Sequence, residues 1–175
     1  VDFITAPSRP VLPRHGDERT QLTAWLDYYR ATLLLKCDGL RLEQLTMRPI
    51  ASSALTLLGL LRHMAAVEQY WFEDILEGRD VQWYIEDDDD PDADFNDLSG
   101  LSLEEVANIF DGACATSRDI VARRSLDALA TRDNAAWGGE KVDTRWVMIH
   151  MIEEYARHLG HADFLRELID GATGY

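Results

Sequence analysis

His150-Met-Ile-Glu-Glu154-Tyr-Ala-Arg-His158-Leu-Gly-His161-Ala-Asp163 is the stretch on which the reading of this chain turns. An α-helix advances about 100° per residue, so positions 150, 154, 158 and 161 fall within roughly an 80° arc of one face. Three imidazoles and a carboxylate in one line are costly to bury unless something satisfies them, and a divalent metal does so readily. Histidines near a helix C-terminus also suit the macrodipole, and a Glu four residues before a His is an ordinary surface pair. The apolar context favours the first reading. Trp146, Val147, Ile149, Ile152, Tyr155, Leu159, Ala162 and Leu165 surround the stripe. The polar line is therefore expected to face a bundle interior or a cleft rather than bulk water.

A site inside a bundle needs ligands from a second helix. The segment from Leu55 to Phe72 supplies one candidate, His63, beside an apolar face of Leu60, Met64, Val67 and Trp71. A lone histidine there reads as a hydrogen-bonded core residue. Opposite a Glu-x-x-x-His on another helix, it reads as a ligand.

These two segments together resemble the DinB-like (YfiT-like) four-helix-bundle metalloproteins, and within them the branch that uses the thiol mycothiol. The resemblance rests on His63, Val67-Glu68 and Trp71-Phe72 in the earlier segment. In the later one it rests on Glu154, Arg157, His158, Gly160, His161, Asp163, Arg166 and Glu167. It implies an all-α, up-down-down-up four-helix bundle over residues 1–175 as a single domain. It also implies His63, Glu154 and His158 as ligands to a divalent metal, zinc first and nickel second. Many members of the wider family use three histidines, and this chain has Glu154 in the middle position. The implied activity is thiol S-transfer with mycothiol as cosubstrate, the metal activating the thiol for attack on an electrophile in a detoxification reaction.

Composition agrees with a single soluble domain. The chain has 175 residues and a formal net charge of −15, which repels nucleic acid and anionic membrane surfaces as partners. Its basic residues are 15 Arg and 2 Lys, a bias common in the high-GC bacteria among which mycothiol occurs. Cys37 and Cys114 have no ligand-like spacing and read as free buried thiols in a reducing cytosol. The first ten residues lack the basic and apolar regions of a signal peptide, and no apolar run is long enough to span a bilayer. A cytoplasmic protein is expected, with a homodimer as its candidate assembly.

Helical periodicity predicts four long helices. The first runs from about Asp17 to Cys37, and a short turn follows at Leu42–Leu45. The second starts from an N-cap at Ser52 or Ser53 and reaches Leu76 before Gly78. The third opens on the capping box Ser102-Leu-Glu-Glu105 and runs to about Arg124. Asp143 or Thr144 caps the fourth, which ends near Ile169. Residues 81–85 are the best strand candidate. The two long connections carry Trp83 and Trp137, read as packing anchors or as a roof over the cleft. Residues 86–97 contain eight acids and read as a solvated loop that discourages anionic partners, with a cover over the cleft as the alternative. Asp90-x-Asp92-x-Asp94 fails as a calcium loop, because Phe95 stands where glycine is required.

With three protein ligands a zinc ion keeps one open position, the mark of a catalytic site. The other motif residues take supporting roles. Glu68 is a candidate base or ligand-orienting group, and His161 a candidate substrate contact or partner of a ligand. Arg157 and His150 are candidate contacts to the thiol cosubstrate, though Arg157 and Arg166 also suit surface pairs with Glu153, Asp163 or Asp170. Two alternatives stand beside the transferase. One is a metal-dependent hydrolase, since a water at the open position is also activated. The other is a non-catalytic bundle binding metal or a small molecule, whose site a fourth ligand such as His161 would close.

Overall fold

The computed structural model describes residues 3–84, 90, 92–96, 98, 100–134 and 138–174. Among the described residues are five α-helices: α1 (Glu18–Cys37), α2 (Leu42–Leu45), α3 (Leu57–Glu68), α4 (Leu103–Arg123) and α5 (Thr144–Asp170). A π-helical segment, Gln69–Leu76, continues α3 without a break, since Gln69 keeps helical dihedrals. Among the described residues there is no strand, only isolated bridges at Ile4–Asp38 and Leu129–Asp143. The strand expected at 81–85 does not form over 81–84, and Ile85 lies outside the described residues.

The helix ends follow local chemistry. Asp17 caps α1 by accepting from Thr20 N, and Asp143 caps α5 by accepting from Trp146 N. Ser102 and Glu105 form the reciprocal capping box at α4. Gly171 closes α5 in the left-handed region, at φ 79°. The start of α3 corrects the sequence reading. Ser52 and Ser53 sit in a turn closed by Ser53 N to Ile50 O, and Ser53 Oγ accepts from Leu55 N. The chain then runs extended to Thr56, whose fully buried hydroxyl accepts from Gly59 N and is the true N-cap. Thr56→Ala should therefore cost about 1–2 kcal/mol in denaturant unfolding, and Ser52→Ala or Ser53→Ala clearly less. Equal losses at the three positions would contradict this assignment.

Cross-helix contacts fix the helix directions. Arg145 at the start of α5 pairs with Glu18 at the start of α1, while Arg166 near its end donates to the carbonyls of Lys36 and Asp38. Hence α1 and α5 run parallel. Against α3 and its π-helical extension the order inverts: His63 meets His158, Glu68 meets Tyr155, and Trp71 meets Trp146. Along α4 it does not, since Glu68 faces Cys114 and Glu77 faces Arg123. The bundle is therefore up-down-down-up. Because α3 and α4 run the same way, the connection between them must climb the length of the bundle, which is why it is long.

One apolar core joins the four long helices. Leu33, Leu57, Leu60, Leu61, Met64, Phe72, Phe110, Ile120, Val147, Met151, Tyr155 and Ala162 are fully buried in it. Cys37 and Cys114 are free and buried, and burial pushes both thiols up to about 12, so neither is a thiolate at neutral pH. Trp83 packs toward Tyr70, with ring centroids 6.2 Å apart, while Trp137 lies outside the described residues. Among the described residues no helix is long and apolar enough to cross a membrane.

Candidate metal centre

His63 lies in the middle of α3, and Glu154 and His158 lie one turn apart on the facing surface of α5. Antiparallel packing of these two helices brings the three half-buried side chains together, with one potential ligand atom from each within 4.8 Å of the others. The imidazoles of His63 and His158 meet edge to face at 4.7 Å between centroids. Glu154 Oε2 is 3.3 Å from His158 Nε2. The hydrogen bond with His158, helped by His150 and Arg157, holds the Glu154 carboxyl below its usual range against the opposing effect of burial. Glu154 is thus a carboxylate at neutral pH, as a metal ligand must be.

The remaining residues of the stripe surround this trio in distinct ways. His161 Nδ1 approaches His158 Nδ1 at 3.4 Å and is not one of the three clustered ligands. Burial, then the neighbouring His158 and Arg157, lower its pKa, so it is neutral at pH 7. His150 is 9% exposed, stacked on Trp146 at 5.1 Å and edge-on to Trp71 at 4.7 Å. Its Nε2 lies 3.6 Å from Glu154 Oε1, and burial lowers its pKa despite Glu154 and Glu153. Arg157 pairs with Glu153 and stands 3.7 Å from Glu154 Oε1. His150, Glu153 and Glu154 also cluster at ligand-like spacing, but Arg157 already supplies the positive charge there.

Glu68 is placed elsewhere than the sequence reading expected. It is fully buried and accepts from Arg30 Nε and Nη2, both at 2.8 Å, and from the Tyr155 hydroxyl at 2.7 Å, with the Cys114 thiol 3.9 Å away. These contacts make it the centre of an internal charge network, not a group at the cleft. The geometric reason was computable: five residues past His63 is 500° of rotation, about 140° away from it. Asp163 and Arg166 likewise serve the packing of α5 on α1. Asp163 pairs with Lys36 at 2.6 Å, and Arg166 pairs with Asp170 while donating to the carbonyls of Lys36 and Asp38.

One contact was not anticipated. Asp94, from the acidic stretch read as a solvated loop, places Oδ2 2.6 Å from His63 Nδ1. The sequence signals for it are the spaced aspartates at 90, 92 and 94 and the placing of this loop as a cover over the cleft, neither of which names a partner for Asp94. A cavity of about 350 Å³ opens beside the neighbouring Arg62, lined also by Tyr84, Leu101, Val106 and Ile109.

Comparison with known proteins agrees with this architecture. A crystal structure titled as a conserved protein of a locus from Enterococcus faecalis superposes with a TM-score of 0.64, covering 90% of this chain and 100% of that one. At 14% identity that likeness shows the bundle fold alone. No curated protein matches the chain. The family model described as mycothiol-S-transferase matches residues 21–171, from the first helix to the end of the last. That span takes in His63 and the whole α5 stripe, and by it the chain belongs to the mycothiol-S-transferase family.

Proposed function

We propose a mycothiol-related transferase activity for this chain, as membership of the family implies. We propose that in this chain the activity is metal-dependent, with His63, Glu154 and His158 as ligands to a divalent ion, zinc before nickel. The observation that supports it is the convergence of two imidazoles and an ionised carboxylate from two helices within 4.8 Å. A set of two nitrogens and one oxygen fits zinc, and three ligands leave a fourth position free. His161 lies outside the set, which favours an open catalytic site over a closed structural one. When bound, the metal would lower the pKa of a thiol at its open position and orient the sulfur toward an electrophile.

The chain's own groups then set the selectivity. Neutral histidines and one carboxylate leave a divalent ion with a net charge of about +1, matched to a single thiolate. Glu154 is shared between His158 on one side and His150 and Arg157 on the other, so its orientation is fixed before any ligand arrives. Arg157 is occupied by Glu153 and Glu154. Mycothiol, whose cysteine is N-acetylated and amide-linked to its sugar, presents no carboxylate for Arg157 to hold. We therefore assign Arg157 to the orientation of Glu154, in place of the role of thiol anchor. His161 is a neutral imidazole next to a ligand, able to take a proton as the thiol ionises.

Charge also gives the test. Glutathione carries two carboxylates and one ammonium and must enter a protein of net charge −15, whereas mycothiol is neutral apart from its thiol. With metal-loaded protein and a generic electrophile, mycothiol should support turnover at least about tenfold better than glutathione, a discrimination of only about 1.4 kcal/mol. The preference should shrink at high salt if long-range charge carries it and persist if the sugar is recognised by shape. Equal rates with both thiols would defeat the thiol assignment. Tight metal binding with neither thiol used would favour a non-catalytic binder, and metal-dependent cleavage of an ester or amide a hydrolase.

A further inference from the structure

The turn at residues 92–96 is docked on α3 and on Arg48 in the segment before it by contacts that a merely solvated acidic loop has no need of. Arg62 Nη1 donates to the Asp94 carbonyl at 3.2 Å. Arg48 Nη2 donates to the Phe95 carbonyl at 2.6 Å and to Asn96 Oδ1 at 3.1 Å. Phe95 is 8% exposed, with its ring 5.7 Å from that of His63. It lies so close to Gly59 that an added Cβ would meet its Cδ1 at 2.5 Å. Gly59, Arg62 and His63 are spaced i, i+3, i+4, so one face of α3 receives the whole turn. The result of that docking is the 2.6 Å contact between Asp94 Oδ2 and His63 Nδ1, with both side chains roughly three-quarters buried.

We infer that Asp94 is a positioning residue for the metal centre, acting through His63. A carboxylate only accepts, so the Nδ1 of His63 must carry the hydrogen, and in the neutral imidazole that a metal binds the lone pair is left on Nε2. Asp94 thereby selects the tautomer and fixes the ring plane, and a carboxylate behind an imidazole makes it a better donor to a metal. The turn at residues 92–96 is then part of the site, although it lies far from the other motifs in sequence. The inference rests on the proposed metal role of His63, but the hydrogen bond can be tested without a metal.

In the metal-free protein, long-range nitrogen–proton correlation spectra should show His63 as the Nδ1–H tautomer in wild type and a tautomer mixture in Asp94→Ala. Zinc affinity, measured by chelator competition, should fall about 10- to 100-fold in Asp94→Ala. Asp94→Asn keeps an acceptor oxygen without the charge and should retain the tautomer while losing part of the affinity. Gly59→Ala should reduce affinity with the Asp94 carboxylate intact, because the new methyl displaces Phe95 and with it the turn; it also meets the Thr56 hydroxyl at 2.9 Å, so Thr56→Ala, which loosens the cap alone, is its control and should keep the affinity. Circular dichroism melts separate these effects from unfolding. A wild-type Nε2–H tautomer, or a zinc affinity unchanged in Asp94→Ala, overturns the inference. Failure of wild type to bind zinc while the tautomer responds to Asp94 would sink the metal proposal and leave the pairing supported.

Discussion

His63→Ala is expected to lose its metal as completely as His158→Ala, although the two residues lie 95 positions apart in sequence. The reason is the antiparallel packing of α3 on α5, which places one imidazole from each helix and the Glu154 carboxylate within 4.8 Å. Loss of a group that merely orients a ligand typically costs about 10- to 100-fold in affinity, so loss of a ligand itself should exceed that range. Metal content after dialysis, and a competition titration with a coloured chelator, measure it directly. Should His63→Ala hold zinc or nickel with unchanged affinity, the cross-helix site is wrong. The α5 stripe would then have to suffice alone, through His150, Glu154, His158 or His161.

The second large effect is on stability and should leave the metal untouched. Arg30 is 3% exposed, and its guanidinium is balanced inside the bundle by Glu68 in a two-point contact, with Asp27 at 3.1 Å as a lesser partner. Glu68→Gln removes the charge that Arg30 requires while adding an amide with no site of its own. Breaking one side of a buried pair costs about 3–5 kcal/mol, because the other charge is left uncompensated. For a domain of this size the melting temperature should fall by on the order of 10 °C. Arg30→Met should behave similarly. The double change Arg30→Met with Glu68→Leu should recover much of the loss, since two apolar side chains of similar volume need no compensation. Zinc affinity should stay within about twofold in Glu68→Gln, in keeping with the place of that residue in the interior network and not among the ligands. A variant that melts normally but has lost turnover would restore Glu68 to the role of base.

The reach of the sequence differs between elements for physical reasons. Helix ends that are local in the chain are readable: the capping box of Ser102 with Glu105 stands as read, Asp143 and not Thr144 caps α5, and Asp17, read as the start of the first helix, is its N-cap. Thr56 was passed over because two serines precede it, and only the fold shows that they close a separate turn. His63, Glu154 and His158 could be picked out because helical spacing sorts residues onto faces. The partner relations of Glu68 and Asp94 depend on which faces meet. Glu68 looked like part of the site because it is near His63 in the chain, and its angular position argues otherwise. Asp94 reads as solvent-facing charge because seven other acids share its run, and composition cannot single out an acid that docks.

The π-helical turns between Gln69 and Leu76 were not legible at all, since their residues suit an ordinary helix. Their hydrogen bonds reach five residues back in place of four, so the segment holds surplus backbone for the height it spans. On one side of it stands His63 with Glu68; on the other, Glu77 clamps Arg123 and Arg124. Both anchors are fixed by contacts made outside the segment. A descendant chain one residue shorter here could close the same span with ordinary turns and disturb neither anchor. The segment is thus a place where the gene can gain or lose a codon inside a helix, and alignments of relatives should show a single-residue gap there.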